Sequence, residues 1–480
     1  MSHDAPDPSI RWFWPITALA AGLAVFLFLS SYPSLIYDSY GYSRLAQNLI
    51  TEGLVGAANE SRTYGYPLFV AICCGFLRPP PEVVRLLVFV VQLVFYLAAC
   101  AAAARSFARA FPRRGMATVF YAAAVLNPVL LARTTEVLTD LLSAVLVLLA
   151  VILSVDPARA RRPVASAVGA LLCAGLAAVV RPANVTIFAA IVLLAAARTL
   201  ITKSLPARAL PILLAAALLP FVPQLVINRR AYGRVEPLIV AKLYRNQTVW
   251  GMANLKYATA VIPGQPPEIT YSNPLYRGDP SPRAFLRRNP LAYLATLGIH
   301  LFAMFDPDFL FTYVTDLHPG YRWPLSTMNL VFLALAGWGV VLAWRPSSPR
   351  ETRFATAVIA FASILSVGIH LPIAVESRFS VPIELLLTPF FAIGLLRLAD
   401  LWSGRRGALV KVAAATLVWV VLGLALSGWI AAQAPRLGQS SVSSVSGSPP
   451  KAPEDISSST SPERVSRRSI SGISSSVSGA

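Results

Sequence analysis

Long apolar runs separated by short polar connections dominate the chain. Eleven runs are long enough to span a bilayer as helices: about 12–32, 83–104, 115–131, 137–155, 164–180, 184–200, 208–227, 323–344, 354–374, 380–396 and 409–430. Leu, Ala and Val fill them without the alternation of a barrel strand. In lipid, each backbone N–H and C=O needs a partner within its own segment, so these runs are read as helices. The pattern predicts an all-α integral membrane protein with about 11 transmembrane helices. Two more stretches, Tyr66–Leu77 and Asn289–Phe311, are apolar but sit inside long polar connections.

Charge decides how to treat those two. Arg105, Arg109, Arg113 and Arg114 share one short connection; Arg159, Arg161 and Arg162 share the next alternate one. Arg198, Lys203 and Arg208 follow, then Arg345, Arg350 and Arg353, then Arg397, Arg405, Arg406 and Lys411. Intervening short connections carry Arg133, Arg181 or Arg378 alone. This is the positive-inside distribution, with the N-terminus cytoplasmic and the C-terminus outside. Counting either doubtful stretch as a span would invert every later cluster. Both are therefore expected as interfacial helices within large external loops, at 33–82 and 228–322.

Composition agrees. Hydrophobic residues make up 56% of the 480 positions and charged residues 13%, with mean hydropathy +0.62, which excludes a soluble globule. The net charge of +19 suggests nucleic acid, but its placement is topological, and no nucleic-acid partner is expected. The first apolar run lacks a convincing cleavage site and reads as a retained helix. Cys73, Cys74, Cys100 and Cys173 lie in apolar segments without disulfide or zinc spacing. After a membrane domain of 1–437, residues 438–480 form a serine-rich tail, expected to be disordered because it has too little apolar surface to fold. The Ala/Arg/Leu bias fits a bacterial cell membrane.

Polar residues converge on the outer side. Asp38 follows the first span directly, with Tyr42, Leu45, Ala46 and Leu49 at helical spacing and then Arg62-Thr63-Tyr64-Gly65-Tyr66-Pro67. A carboxylate beside a membrane is costly without a use, although an ordinary helix N-cap explains Asp38 equally well on its own. Glu60 shares that loop. Glu136 and Asp140 follow Asn127-Pro128 at one-turn spacing, which places both on one helical face. Arg181-Pro182 and Glu376-Ser377-Arg378-Phe379 complete the set. Each has a plainer reading: Arg181 snorkelling, Glu376 and Arg378 neutralising each other, Asp140 opening a helix. Together they describe a site for an anionic ligand. Arginines bind phosphate through a bidentate fork, and carboxylates act as a general base or hold a divalent cation. No His/Asp cluster has diagnostic ligand spacing, so a metal stays open.

In these residues the chain resembles the polytopic glycosyltransferases of the GT-C superfamily, within the protein O-mannosyltransferase and lipid A aminoarabinose transferase group. There an acidic residue follows the first span, and a Tyr-x-x-x-Ala-x-x-Leu-like helix comes next; here these are Asp38, Tyr42, Ala46 and Leu49. An Arg-x-Pro-Gly-Tyr-Pro-like turn matches Arg62 to Pro67, with Tyr64 where the family has proline. Asn127-Pro128, Asp140, Arg181-Pro182 and Arg378-Phe379-Ser380-Val381-Pro382 match in order. The resemblance covers residues 12–235 well and 370–400 weakly. It implies a polyprenyl-phosphate-linked sugar as donor and a lipid, protein or glycan hydroxyl as acceptor on the outer face. Asp38 is implied as catalytic base, Arg181 and Arg378 as donor-phosphate ligands. Asp140, Glu136 and Glu60 are implied as site-shaping or metal-holding, with Tyr42, Arg62 and Tyr66 forming a substrate loop. The alternative is a transporter or flippase of lipid-linked or envelope precursors, which would also place carboxylates in a many-helix membrane protein. A non-catalytic partner in envelope assembly is a third reading.

Overall fold

A computed structural model describes residues 12–263, 266–404 and 406–434. The first eleven residues, Arg405 and the expected serine-rich tail at 438–480 lie outside the described residues. The chain opens with α1 (Phe13–Ser30), α2 (Tyr37–Glu52), α3 (Gly65–Cys73) and α4 (Pro81–Ala110). There follow α5 (Met116–Val125), α6 (Pro128–Ala132), α7 (Thr139–Val155), α8 (Pro163–Val180), α9 (Val185–Leu200), α10 (Leu210–Leu218) and α11 (Val222–Tyr232). The middle section holds α12 (Leu243–Ala253), α13 (Pro282–Arg288) and α14 (Pro290–Met304). The chain closes with α15 (Arg322–Ala343), α16 (Arg350–His370), α17 (Val381–Gly404) and α18 (Arg406–Ala431). Among the described residues, nine helices are long and apolar enough to cross a membrane. The protein is an all-α polytopic integral membrane protein.

Two of the eleven expected spans take a different form. The run at 115–131 is broken: α5 and the segment Pro128–Thr135 meet at 50°. Pro128 lacks an N–H and pushes Asn127 out of the helical region, to φ −68 and ψ 114. Asn127 then caps the new helix, its side-chain oxygen accepting from the Val129 and Leu130 N–H groups. The run at 137–155 becomes α7, 17 residues long and buried over most of its length. At 1.5 Å per residue that is about 26 Å, short of a full hydrocarbon core, and its neighbours rather than lipid surround it. The doubtful apolar stretches become α3 and α14.

Helices pack closely where glycine removes side chains from the interface. A Cβ on Gly339 would lie 1.9 Å from the Phe390 carbonyl oxygen, and one on Gly394 would lie 2.3 Å from that of Leu335. The two glycines thus let α15 and α17 touch backbone to backbone, the usual small-residue contact of membrane helices.

The large connection at 228–322 also contains strands, which the apolar pattern did not foretell. β1 (Asn254–Ala260) pairs antiparallel with β2 (Glu268–Ser272) and parallel with β3 (Tyr313–Val314). A bridge from Lys256 to Val375 joins β1 to the segment before Glu376. Below the sheet, Lys256 lies 2.9 Å from Asp308, and Arg322 at the start of α15 lies 3.0 Å from the same carboxylate. This buried network fastens β1 to the helices, and β1 in turn borders the polar cluster described next.

Candidate active site

Asp38 occupies the first turn of α2, and the backbone just before it is unusual. Tyr37 has φ of +45°, a left-handed conformation that non-glycine residues adopt only when held. Three hydrogen bonds hold it. The Tyr313 hydroxyl donates to the Ile36 carbonyl and accepts from the Ser39 N–H, both at 3.1 Å. The Ser39 hydroxyl accepts from the Ile36 N–H at 2.9 Å. Strand β3, far along the chain, thereby fixes the entry to α2.

The Asp38 carboxylate accepts from Arg62 at 2.5 Å, and Arg378 lies 3.8 Å from its other oxygen. Arg378 extends its second terminal nitrogen to within 3.7 Å of Asp140, while its Nε donates to Glu376 at 2.7 Å. Arg181 donates to Asp140 and stacks over the Phe379 ring, 4.9 Å from its centre. A line of alternating charge results: Arg62, Asp38, Arg378, Asp140, Arg181. Exposure is uneven along it. The Asp38 side chain is 45% exposed, against 14% for Arg378, 12% for Arg181 and 2% for Asp140. Asp38 is the most exposed member of the line.

Electrostatics follow from this geometry. Burial acts to raise the Asp38 carboxyl, but the charges of Arg378 and Arg62, with the Arg62 hydrogen bond, outweigh it and hold the group below the ordinary carboxylate value. Burial pushes Glu376 the other way, above its ordinary value, against the pull of Arg378 and Arg133. Asp38 is thus kept ionised and accessible.

The Arg62 to Pro67 turn is seated by its own residues. The Thr63 hydroxyl donates to the Val179 carbonyl at 2.5 Å, and the Tyr64 hydroxyl to that of Pro220 at 2.7 Å. The Tyr64 N–H donates to the Gln224 side chain at 2.9 Å. A Cβ on Gly65 would come within 2.5 Å of the Val179 carbonyl oxygen, so only glycine permits this approach to α8. Arg62 then lies over Tyr42, 5.3 Å from its ring centre, and Tyr42 packs edge-on against Tyr66 at 5.0 Å.

The structure therefore brings together Asp38, Arg62, Tyr42, Tyr66, Asp140, Arg181, Glu376 and Arg378. Two expected members lie elsewhere. Glu136 does not share a face with Asp140: it precedes α7 in extended backbone, φ −105 and ψ 136, because α7 starts only at Thr139. Its carboxylate pairs with Arg133 at 3.0 Å and accepts from the Thr312 N–H at 2.5 Å, pinning the 310–312 segment. Glu60 is exposed, and its backbone carbonyl accepts from Val240 and Ala241. Sequence reasoning missed Tyr257, on β1, which packs against Phe379 at 6.3 Å and sits beside Glu376 and Arg378. It also missed Tyr313. No local signal ties either to a site hundreds of residues away.

A divalent cation is poorly served here. Among the described residues no group of three or more His, Cys, Asp or Glu side chains is placed to hold a metal. Asp38 and Asp140 are already matched by three guanidinium groups, which a cation would have to displace.

An apolar groove of about 590 Å³ opens beside the cluster, lined by Tyr64, Gly65, Leu68, Val94, Leu142 and Val180 among others. Val180 directly precedes Arg181, and Tyr64 belongs to the turn that carries Arg62. The basic connections lie at the opposite helix ends, where Arg109 pairs with Asp156 at 2.5 Å and Arg113 with Asp400.

No protein-family model matches the chain, and no curated protein matches it. Its structure is similar to solved structures of the oligosaccharyltransferase of Archaeoglobus fulgidus. The complex with zinc and sulfate superposes with a TM-score of 0.47 at 13% identity, over 88% of this chain and 54% of that one. The complex with an inhibitory peptide and a dolichol-phosphate gives 0.42 at 14% identity, over 89% and 56%. The form tethered to an acceptor peptide gives 0.43 at 12% identity, over 89% and 56%. This chain spans about half the length of the chains it matches.

Proposed function

We propose that this protein is a membrane glycosyltransferase that moves a monosaccharide from a polyprenyl-phosphate carrier to an acceptor hydroxyl. The observation that carries the reading is the charge line from Asp38 to Arg181, open to solvent at its carboxylate end and bordered by an apolar groove at its arginine end. An acceptor approaching from the open end meets a base; a carrier lying in the groove meets arginines. The motif resemblance to GT-C enzymes points the same way.

In this mechanism the acceptor O–H bond breaks and its proton passes to Asp38. The oxygen bonds to the anomeric carbon as the bond from that carbon to the phosphate oxygen breaks, with inversion. The phosphate leaves with the bonding electrons. Arg181 and Arg378 offset its added charge, an interaction that grows towards the transition state. Asp140 orients both arginines, and Glu376 orients Arg378 from the other side. Arg62 keeps Asp38 ionised until the acceptor displaces it. No step is routed through a metal. The acceptor is a lipid, protein or glycan hydroxyl. The site faces outward, with the N-terminus in the cytoplasm of a bacterial cell, on the strength of the alternate basic connections.

The flippase reading has one feature in its favour, the discontinuous helix at Asn127-Pro128. The Asn127 side chain satisfies the backbone groups exposed by that break, so the break offers little to a passing headgroup.

Binding of a polyprenyl phosphate to the purified protein tests the proposal. Lysine is the informative replacement, since alanine would remove one of the two guanidinium groups that pair buried Asp140. Arg181→Lys and Arg378→Lys each exchange a fork for a point charge, and each is expected to weaken carrier binding about ten-fold or more through lost charged hydrogen bonds. Unchanged binding in both variants would remove the phosphate from this site.

A further inference from the structure

Three of the five basic connections that mark topology also build a cavity. At the helix ends opposite Asp38, a space of about 520 Å³ lies among α7, α8, α9 and α16. Arg159 reaches it from the connection after α7, Arg198 from the end of α9 and Arg350 from the start of α16. All four helices have their other ends near the charge line: α7 begins beside Asp140, α8 ends at Arg181, α9 follows it, and α16 leads to Glu376. The cavity is thus separated from the candidate active site by the length of the helices.

Its charge is unbalanced. Asp156 on the rim is fully engaged: Arg109 donates to both its oxygens at 2.5 and 2.9 Å, and Ser106 and the Ala158 N–H add bonds at 3.0 Å. Arg159 shares the same carboxylate as a looser ion pair at 3.7 Å, so two arginines rest on one aspartate. Arg198 has only the Ser204 hydroxyl at 3.4 Å, and Arg350 has no ion-pair partner among the described residues. Glu351 is the one unengaged carboxylate on the lining. The Thr202 and Ser204 hydroxyls both donate to the Arg198 carbonyl, which ties this connection to the cavity rim. Leu153 and Phe354 supply an apolar flank. A cation-lined space with one apolar wall matches a phosphate group attached to an acyl chain.

We propose that this cavity binds an anionic phosphate headgroup, independently of the chemistry at Asp38. A membrane phospholipid and a soluble phosphate ester share the chemistry, and the test separates them. Native mass spectrometry of the full chain in detergent would compare added phosphatidylglycerol with phosphatidylcholine; thermal shift would measure glycerol 3-phosphate. Phosphatidylglycerol is expected to be retained over phosphatidylcholine. Retention should fall about five-fold for each of Arg159→Gln, Arg198→Gln and Arg350→Gln, the usual contribution of one basic residue at a membrane surface. Arg161→Gln with Arg162→Gln removes two exposed charges from the same connection but outside the cavity and should change little. Stabilisation by glycerol 3-phosphate that the Arg198→Gln variant abolishes would support the site with a soluble occupant. Equal retention of both lipids with no response to glycerol 3-phosphate, or an equal loss per arginine in the Arg161/Arg162 control, would overturn the proposal.

Discussion

Arg62 donates to Asp38 across 2.5 Å, although 24 residues separate them in the chain. The pair joins the first turn of α2 to the turn before α3, and together with Arg378 it holds the exposed carboxylate below its ordinary value. Removing the guanidinium removes one of the two charges that lower the Asp38 pKa, so the pKa must rise. A base is useful only when deprotonated. In Arg62→Gln the acidic limb of the kcat/KM profile is therefore expected to move to higher pH, with activity recovering above it. A profile superimposable on wild type would separate Arg62 from the base.

Glu136 is expected to matter for stability and not for turnover. Its carboxylate is buried between Arg133 and Thr312. Glu136→Gln removes the carboxylate that pairs directly with buried Arg133, leaving the more distant Glu376, a loss of up to roughly 3–5 kcal/mol. Melting in detergent should fall by several degrees while kcat per folded molecule is kept. A normal melting temperature with reduced kcat would restore Glu136 to the site.

Gly65 offers a packing test. Alanine there puts a methyl 2.5 Å from the Val179 carbonyl oxygen, an overpacking cost of about 1–3 kcal/mol. Gly337→Ala, with open space around its Cβ, should be neutral or stabilising. Equal melting temperatures for the two variants would mean the turn does not press on α8 as described.

Orientation is checked by cysteine labelling in a background lacking the four native thiols. Lys203→Cys is expected to label from the cytoplasm and Asp316→Cys from outside. Labelling of both from one side would invert the assignment of the site to the outer face.

Much of this was legible in the sequence because spacing and order survive folding. Asp38, Asp140, Arg181 and Arg378 each stand at a helix end, and a hydropathy pattern locates helix ends well. Arg62 was legible through its turn, where Gly65 and Pro67 leave a local signature. Glu136 was misplaced for a specific reason: helical spacing to Asp140 presumes one helix, and α7 begins between them. Proline broke the preceding span, so the residues from Arg133 to Leu138 became a connection. Tyr257 and Tyr313 were out of reach because strands β1 and β3 are short and irregular, and a bulge between Asn254 and Lys256 upsets the alternation of β1. Their value lies in long-range pairing, for which no period exists in the chain.

The central claim is that Asp38 takes the acceptor proton, and one substitution isolates it. Asp38→Asn preserves size and the capacity to accept from Arg62 while removing the basic lone pair. Transfer of sugar from a polyprenyl-phosphate donor should then be measured alongside carrier binding on the same purified sample. Turnover is expected to fall about 10²–10⁴-fold, the usual contribution of a general base, with carrier binding retained. Transfer at the wild-type rate would contradict the account and leave Asp38 as an ion-paired residue in the first turn of a helix.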